Sequence, residues 1–217
     1  MLNKLYAWFH KKTSRPDERG EYSAGAWPAQ IRDRVTGLCR TSTGNFLDLG
    51  CGEGFFISKL MSDNNAITIY GLDNNEKNIN RARERLTNSK INLIVGDAAK
   101  TPFADIFFNT IICNNFFIML NSNDIAQQVL NEAKRILKPG GKIIFEIRNA
   151  LNPLIRLKYK LAPFYDNTLK NHPLKTYKPD EIRMLLSKTG FKTTGMYTIG
   201  FPANRFAPII IFEAEKC

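Results

Sequence analysis

Histidine is scarce in this chain, and its cysteines do not pair. Among 217 residues there are two histidines, His10 and His172, and four cysteines, Cys39, Cys51, Cys113 and Cys217. No two cysteines form a C-x-x-C pair, which excludes the usual thiolate zinc motif, so no metal site is expected. Cys51 and Cys113 fall in glycine-rich or apolar segments. Such placement suits reduced, buried thiols and a cytoplasmic location. No apolar run approaches the roughly 20 residues of a membrane span. The first residues also lack the apolar stretch and small-residue cleavage site of a secretory signal. Internal repeats and low-complexity tracts are absent. The length suits one well-buried domain. That domain is expected to span residues 1–217, with an arm at 1–25 and a lid-like insertion at 149–178.

Charge is plentiful but unevenly placed. The formal net charge is +11. Residues 1–45 carry +4, residues 46–148 carry +1, residues 149–178 carry +5 and residues 179–217 carry +1. A neutral middle flanked by basic segments points those segments toward an anionic partner. Solubility alone is the competing explanation. In the arm, Leu2, Leu5, Trp8 and Phe9 can share a helix face beside basic residues. Residues 1–12 are therefore candidates for peripheral membrane contact, or for packing on the domain or a neighbouring chain.

The middle alternates short β runs with helical patterns. A helix is expected over Ala26–Cys39, with Pro28 tolerated in its first turn. Strands are expected at Phe46–Leu49, Ile67–Leu72, Ile91–Val95, Asn109–Cys113 and Lys142–Arg148. Helices are expected at Phe55–Met61, Glu76–Leu86 and Asp124–Leu137. The rhythm breaks over Leu151–Lys178, which holds three prolines. It resumes with a helix at Pro179–Thr189 and two β runs, Lys192–Ile199 and Phe206–Ala214, spaced for an antiparallel hairpin. Alternation of this kind predicts an α/β domain with a doubly wound parallel sheet.

Asp48-Leu49-Gly50-Cys51-Gly52-Glu53-Gly54 follows the first strand and opens a helix. Glycines there allow a tight turn and close approach to a ligand. The helix start offers free N–H groups to an anion. Asp73 ends the second strand, near the spacing at which a carboxylate meets ribose hydroxyls. A nicotinamide fingerprint needs glycine at position 55, where this chain has Phe55.

The G-x-G-x-G loop behind an acid resembles the class I S-adenosylmethionine-dependent methyltransferases, of the small-molecule type 11 kind. Val95-Gly96-Asp97-Ala98 with Pro102-Phe103, and Arg135-Ile136-Leu137-Lys138-Pro139-Gly140-Gly141, resemble later motifs of that family. The resemblance covers roughly residues 26–148 and the terminal hairpin. It implies a Rossmann-like seven-stranded sheet, order 3-2-1-4-5-7-6, with strand 7 antiparallel and helices on both faces. It also implies S-adenosyl-L-methionine as cofactor. Gly50, Cys51, Gly52 and Gly54 would lie against its methionine part, and Asp48 near its ammonium. Asp73 would meet the ribose, Asn74, Asp97 and Ala98 the adenine, and Asn114 the methionine side. Tyr22 would cover the cofactor. The family's Phe-Asp before the fourth strand is Phe108-Asn109 here, which predicts the loss of a local hydrogen bond.

Methyl transfer rests largely on alignment and needs no fixed acid–base motif. His172 and Tyr177, in the insertion, are the candidate catalytic residues, with solvation and packing as their plainer roles. Glu146 reads as structural. Nucleic acid is disfavoured as acceptor, because the Asp/Asn-Pro-Pro-aromatic motif is replaced by Cys113-Asn114-Asn115-Phe116. The two-cysteine pattern of cytosine-C5 RNA enzymes is missing too. The expected acceptor is a small molecule, saccharide or lipid-linked, with anionic character matching the basic insertion. An RNA or protein methyltransferase and a non-catalytic cofactor-binding module are the alternatives.

Overall fold

The computed structural model describes residues 26–63, 67–86, 91–165 (backbone only at 26 and 162–165) and 174–217. Helix α1 (Ala26–Cys39) leads into β1 (Gly44–Leu49), α2 (Phe55–Asp63), β2 (Ile67–Asp73), α3 (Glu76–Arg85) and β3 (Ile91–Val95). Then follow β4 (Phe108–Cys113), a short 3-10 turn (Phe117–Met119), α4 (Asn123–Ile136) and β5 (Leu137–Arg148). Helices α5 (Pro153–Tyr165) and α6 (Pro179–Lys188) precede β6 (Phe191–Ile199) and β7 (Ile209–Lys216).

The strands form one sheet in the order β3-β2-β1-β4-β5-β7-β6. β1 pairs in parallel with both β2 and β4, while β7 runs antiparallel between β5 and β6. The expected order and the antiparallel hairpin are both realised. Because the chain winds outward on either side of β1, the loops after β1 and β4 diverge and leave a crevice between them.

Both faces of the sheet are covered, so the inner strands alternate between two cores rather than between core and water. Leu47, Leu49, Phe145 and Ile147 point to one face, against Leu130, Ala133 and Ile182 of α4 and α6. Phe46, Ile69, Ile112 and Ile144 point to the other, against Ile31, Val35, Ile57 and Ile79 of α1–α3. Phe117 stacks on Phe145 at 4.1 Å and Phe145 on Phe212 at 5.6 Å. Each of these fully buried rings contributes on the order of 1.5–3 kcal/mol.

Three local readings change. Strand β5 begins at Leu137 and absorbs Lys138-Pro139-Gly140-Gly141, ahead of the expected start at Lys142. The bond expected to be lost at Asn109 is present, since its Oδ1 accepts from Asn45 N–H at 3.1 Å and from Lys138 Nζ at 3.0 Å. An amide oxygen serves there as a carboxylate would. The proline-rich stretch after β5 also contains a helix, α5. Its start carries a readable signal, Asn152-Pro153: a capping side chain followed by proline in the first turn. Asn152 Oδ1 accepts from Ile155 N–H at 3.0 Å, and its Nδ2 donates to Phe206 O at 2.8 Å. One side chain thus starts α5 and ties it to the β6–β7 loop. Asn149 reinforces the tie by donating to the carbonyls of Arg205 and Ala207.

Asn152→Ala removes both bonds from a buried site. It is expected to lower the free energy of unfolding by about 2 kcal/mol, read as a lower denaturant midpoint at unchanged slope.

Candidate active site

The loop after β1 is held by the end of β2. Gly50 N–H and Cys51 N–H both donate to Leu72 O, at 2.7 and 3.0 Å. Gly52 N–H donates to Asp73 Oδ2 at 2.9 Å. Asp73 Oδ1 accepts from Asn75 N–H at 2.9 Å and Asn78 Nδ2 at 3.2 Å. Asp73 therefore fixes the glycine loop and the start of α3 together. Gly50 adopts φ +80°, and a side chain there would run into the Phe116 ring. Gly52, at φ +53°, faces open space. Glu53 anchors the far side of the loop through Arg81 Nη1 at 2.9 Å, while Arg85 lies 3.9 Å over the Phe55 ring.

Between this loop and the loop after β4 lies a recess of about 40 Å³, lined in part by Arg32, Asp48, Gly50, Gly52, Asn114 and Asn115. Asp48 is buried, and its Oδ1 has no partner. Burial first, then the neighbouring Asp73 and Glu146, pushes its carboxyl up to about 8. Both side-chain polar atoms of Asn114 are buried without a partner. Burial also drives Cys51 and Cys113 well above the usual thiol range, so neither is a ready nucleophile.

A buried ion pair supports the far wall. Glu146 Oε1 accepts from Asn115 N–H at 2.6 Å and from Arg148 Nη1 at 3.3 Å. Arg148 Nη2 donates to Asn115 Oδ1 at 2.6 Å, and its Nε to Tyr159 Oη at 3.1 Å. Asn115 is gripped at backbone and side chain in a left-handed conformation, φ +55°. Tyr159 belongs to a second, larger cavity of about 470 Å³ between α5 and the 174–176 segment. Arg156 and Lys160 supply its cations, and Leu157 and Leu174 part of its apolar wall. That segment is held on the rim by Lys175 N–H donating to Ile118 O and Tyr177 N–H donating to Arg148 O.

Of the residues expected at the cofactor, Asp48, Gly50, Cys51, Gly52 and Asn114 meet at the recess. Gly54, Asp73, Asn74, Asp97 and Ala98 stand outside its lining. Asn74 and Asp97 are exposed, and Asp97 Oδ1 accepts from Ala99 N–H at 2.8 Å in a turn of its own. Tyr22, His172 and the contact region 1–12 lie outside the described residues. Tyr177 is fully buried beside Phe117 and donates to Leu120 O at 3.3 Å. Burial also raises its phenol pKa, so its place in the fold is a packing one rather than that of a base.

Sequence reading missed Arg32, Phe55, Asn115 and the Glu146–Arg148–Tyr159 chain. Arg32 carried a faint signal, as a charge on the helix face shared with Ile31 and Val35, both fully buried.

This sheet order with a glycine loop at its switch point is that of the class I S-adenosylmethionine-dependent methyltransferases. A family model described as a methyltransferase domain matches residues 40–190, and the chain belongs to that family. The demethylmenaquinone methyltransferase of Lactobacillus johnsonii is 33% identical over 141 residues, 60% of this chain and 57% of that protein. The fatty-acid O-methyltransferase of Mycolicibacterium smegmatis is 31% identical over 132 residues, 61% of this chain and 45% of that protein. The chain spans about half the length of the curated relatives it matches. The magnesium protoporphyrin IX methyltransferase of Synechocystis, solved with bound SAH, superposes with TM-score 0.70. It shares 18% identity, with 100% of this chain and 96% of that one covered.

Arg148→Met leaves Glu146 buried without its cation. It is expected to cost about 3 kcal/mol or more of stability. Adding Glu146→Gln is expected to restore part of that loss in chemical denaturation, because the buried charge goes with its partner. Strictly additive losses would show that the pair does not act as a unit.

Proposed function

We propose that the chain transfers the methyl group of S-adenosylmethionine to a small, amphipathic acceptor bearing negative charge. The observation that carries this reading is the set of unpartnered polar atoms of Asp48 and Asn114 beneath the glycine loop. A folded chain rarely leaves such atoms buried and unpaired. They suit the amino-acid end of this cofactor.

In this reading the Asp48 carboxylate faces the ammonium of the methionine part, and Arg32, which lines the same recess, lies toward its carboxylate. Asn114 lies along the methionine chain. Gly52 lets the backbone approach where a side chain would intrude. Asp73 turns the lone pair that its three N–H donors leave open to the ribose, and Asn74, Asp97 and Ala98 border the adenine on the open rim. The cofactor supplies a methyl carbon already activated by positive sulfur, so the chain's main task is alignment. Residues 149–178 act as the acceptor side of a single domain. Arg156 and Lys160 attract the charged end of the acceptor, and Leu157 and Leu174 hold its apolar part. Any base serves only an acceptor that must lose a proton; His172 is the candidate for it. Lys158, over the Trp27 ring, and Lys175, bonded to Asn123 Oδ1, are committed elsewhere.

Calorimetry tests the reading. S-adenosylmethionine or its demethylated product is expected to bind at micromolar or better concentration. Asp73→Asn should weaken it by about 2 kcal/mol through loss of charged acceptors. Absence of heat at high protein concentration would sink the proposal.

A pH signature follows from Asp48. Its carboxyl is held near 8, so at neutral pH it is mostly protonated. An ammonium placed beside it favours the ionised form and lowers that value. Cofactor binding at pH 7 should therefore release close to one proton, and affinity should rise with pH toward about 8. Above that the ligand's own amine, with an ordinary value near 8, begins to lose charge. Binding enthalpies that depend on the buffer in the wild type, and do not in Asp48→Asn, would bear this out.

A further inference from the structure

Helix α5 turns an apolar stripe outward. Leu154, Leu157 and Leu161 are 74%, 54% and 44% exposed, and their spacing puts them on one side of the helix. The opposite side is anchored by Ile155, which is 1% exposed. The stripe continues onto the β6–β7 loop. Lys158 Nζ lies 4.5 Å over the Trp27 ring, and a side-chain carbon at Gly200 would come within 3.8 Å of the same indole. Next to Gly200 stands Phe201, 92% exposed. Among the described residues of α5 and the β6–β7 loop, charge has one sign. Residues 149–165 contain Arg156, Lys158 and Lys160 and no acid, and residues 198–212 contain Arg205 and no acid.

We propose that this face docks on the surface of an anionic phospholipid bilayer, with the leucines and Phe201 in the acyl boundary and the basic residues among the head groups. The identity of the occupant follows from charge and shape. A second copy would bring an equally basic, acid-free face against this one, since a two-fold contact pairs a patch with itself. A protruding ring and a convex helix stripe suit a surface that can be penetrated. Leu157 belongs both to the stripe and to the cavity assigned to the acceptor. Docking thus sets the acceptor cavity beside the membrane, so the substrate class becomes an amphiphile residing in the bilayer. That last step rests on the proposed methyltransferase reading; the docking itself does not.

The full chain is tested by flotation with vesicles of phosphatidylcholine alone and of phosphatidylcholine mixed with phosphatidylglycerol. The expected result is flotation with the anionic vesicles and its loss at high salt. The combined variant Leu154→Ser, Leu161→Ser and Phe201→Ser should weaken partitioning about tenfold or more. These side chains are exposed, so circular dichroism should show an intact fold. Failure to float with either vesicle overturns the proposal. So does equal flotation of the variant, which would move the contact to another part of the chain such as residues 1–25. Concentration-dependent dimerisation that the variant abolishes, without flotation, assigns the face to a second copy and also overturns it. Cofactor calorimetry on the same samples separates the two readings. Heat without flotation rejects docking alone, and flotation without heat rejects the methyltransferase reading alone.

Discussion

Carboxylates crowd the carboxyl-terminal rim of the sheet, and much of the site is arranged around neutralising them. Asp48, Asp73 and Glu146 come from three of its parallel strands, β1, β2 and β5, and the latter two add to the cost of charging Asp48. The chain answers each one differently. Asp73, at the edge of burial, takes three N–H donors from the loop and helix it joins. Glu146 takes Arg148 and the Asn115 amide. Asp48 has no partner for its Oδ1 and holds a proton instead, at about 8. The least compensated carboxylate is thus the one that faces the recess, where a cationic ligand group gains most by approaching it.

Answering Glu146 with an arginine has a geometric result. The pair grips Asn115 from both ends and keeps it at positive φ, a conformation that disfavours side-chain-bearing residues. The following Phe116 is thereby laid against Gly50, where no other residue would leave room for the ring. The two loops that border the recess are locked to each other through this contact. Arg148 also reaches Tyr159 in α5, so the wall of the recess and the wall of the larger cavity share one guanidinium. A displacement of α5 is therefore felt at Asn115.

Where periodicity and glycine placement carry the information, the chain was readable. The alternation from Phe46 to Arg148 predicts the sheet, and Asp48, Gly50 and Gly52, which the family resemblance groups, all line the recess. Asp97 shows the limit of a motif: its position matches the pattern, yet one of its oxygens serves its own turn. Long-range contacts were invisible for a physical reason. Nothing local distinguishes Glu146 or Tyr159 from ordinary members of a strand or helix, and Arg32 carries only its faint helix-face signal. Their importance arises only when the fold brings residues 32, 115, 146 and 159 to one rim. Helix α5 was obscured by its three-proline neighbourhood, although Asn152-Pro153 is a start signal that proline content alone hides.

The same fold separates two kinds of demand on the sequence. The parallel strands must be apolar on both faces and their covering helices on the inner one, and the charges of residues 46–148 balance to a net of +1. The described residues between β5 and α6 bear less of that constraint. They need only be tied down at a few points, which Asn149, Asn152 and the backbone bonds of residues 175 and 177 provide. Between those ties α5 leaves Leu154, Leu157 and Leu161 exposed. There the basic excess and the exposed leucines accumulate together. A surface selected for solubility alone would mix charge of both signs and bury or dilute its leucines. Residues 149–165 do neither, which is the composition that the proposed docking on an anionic bilayer asks for.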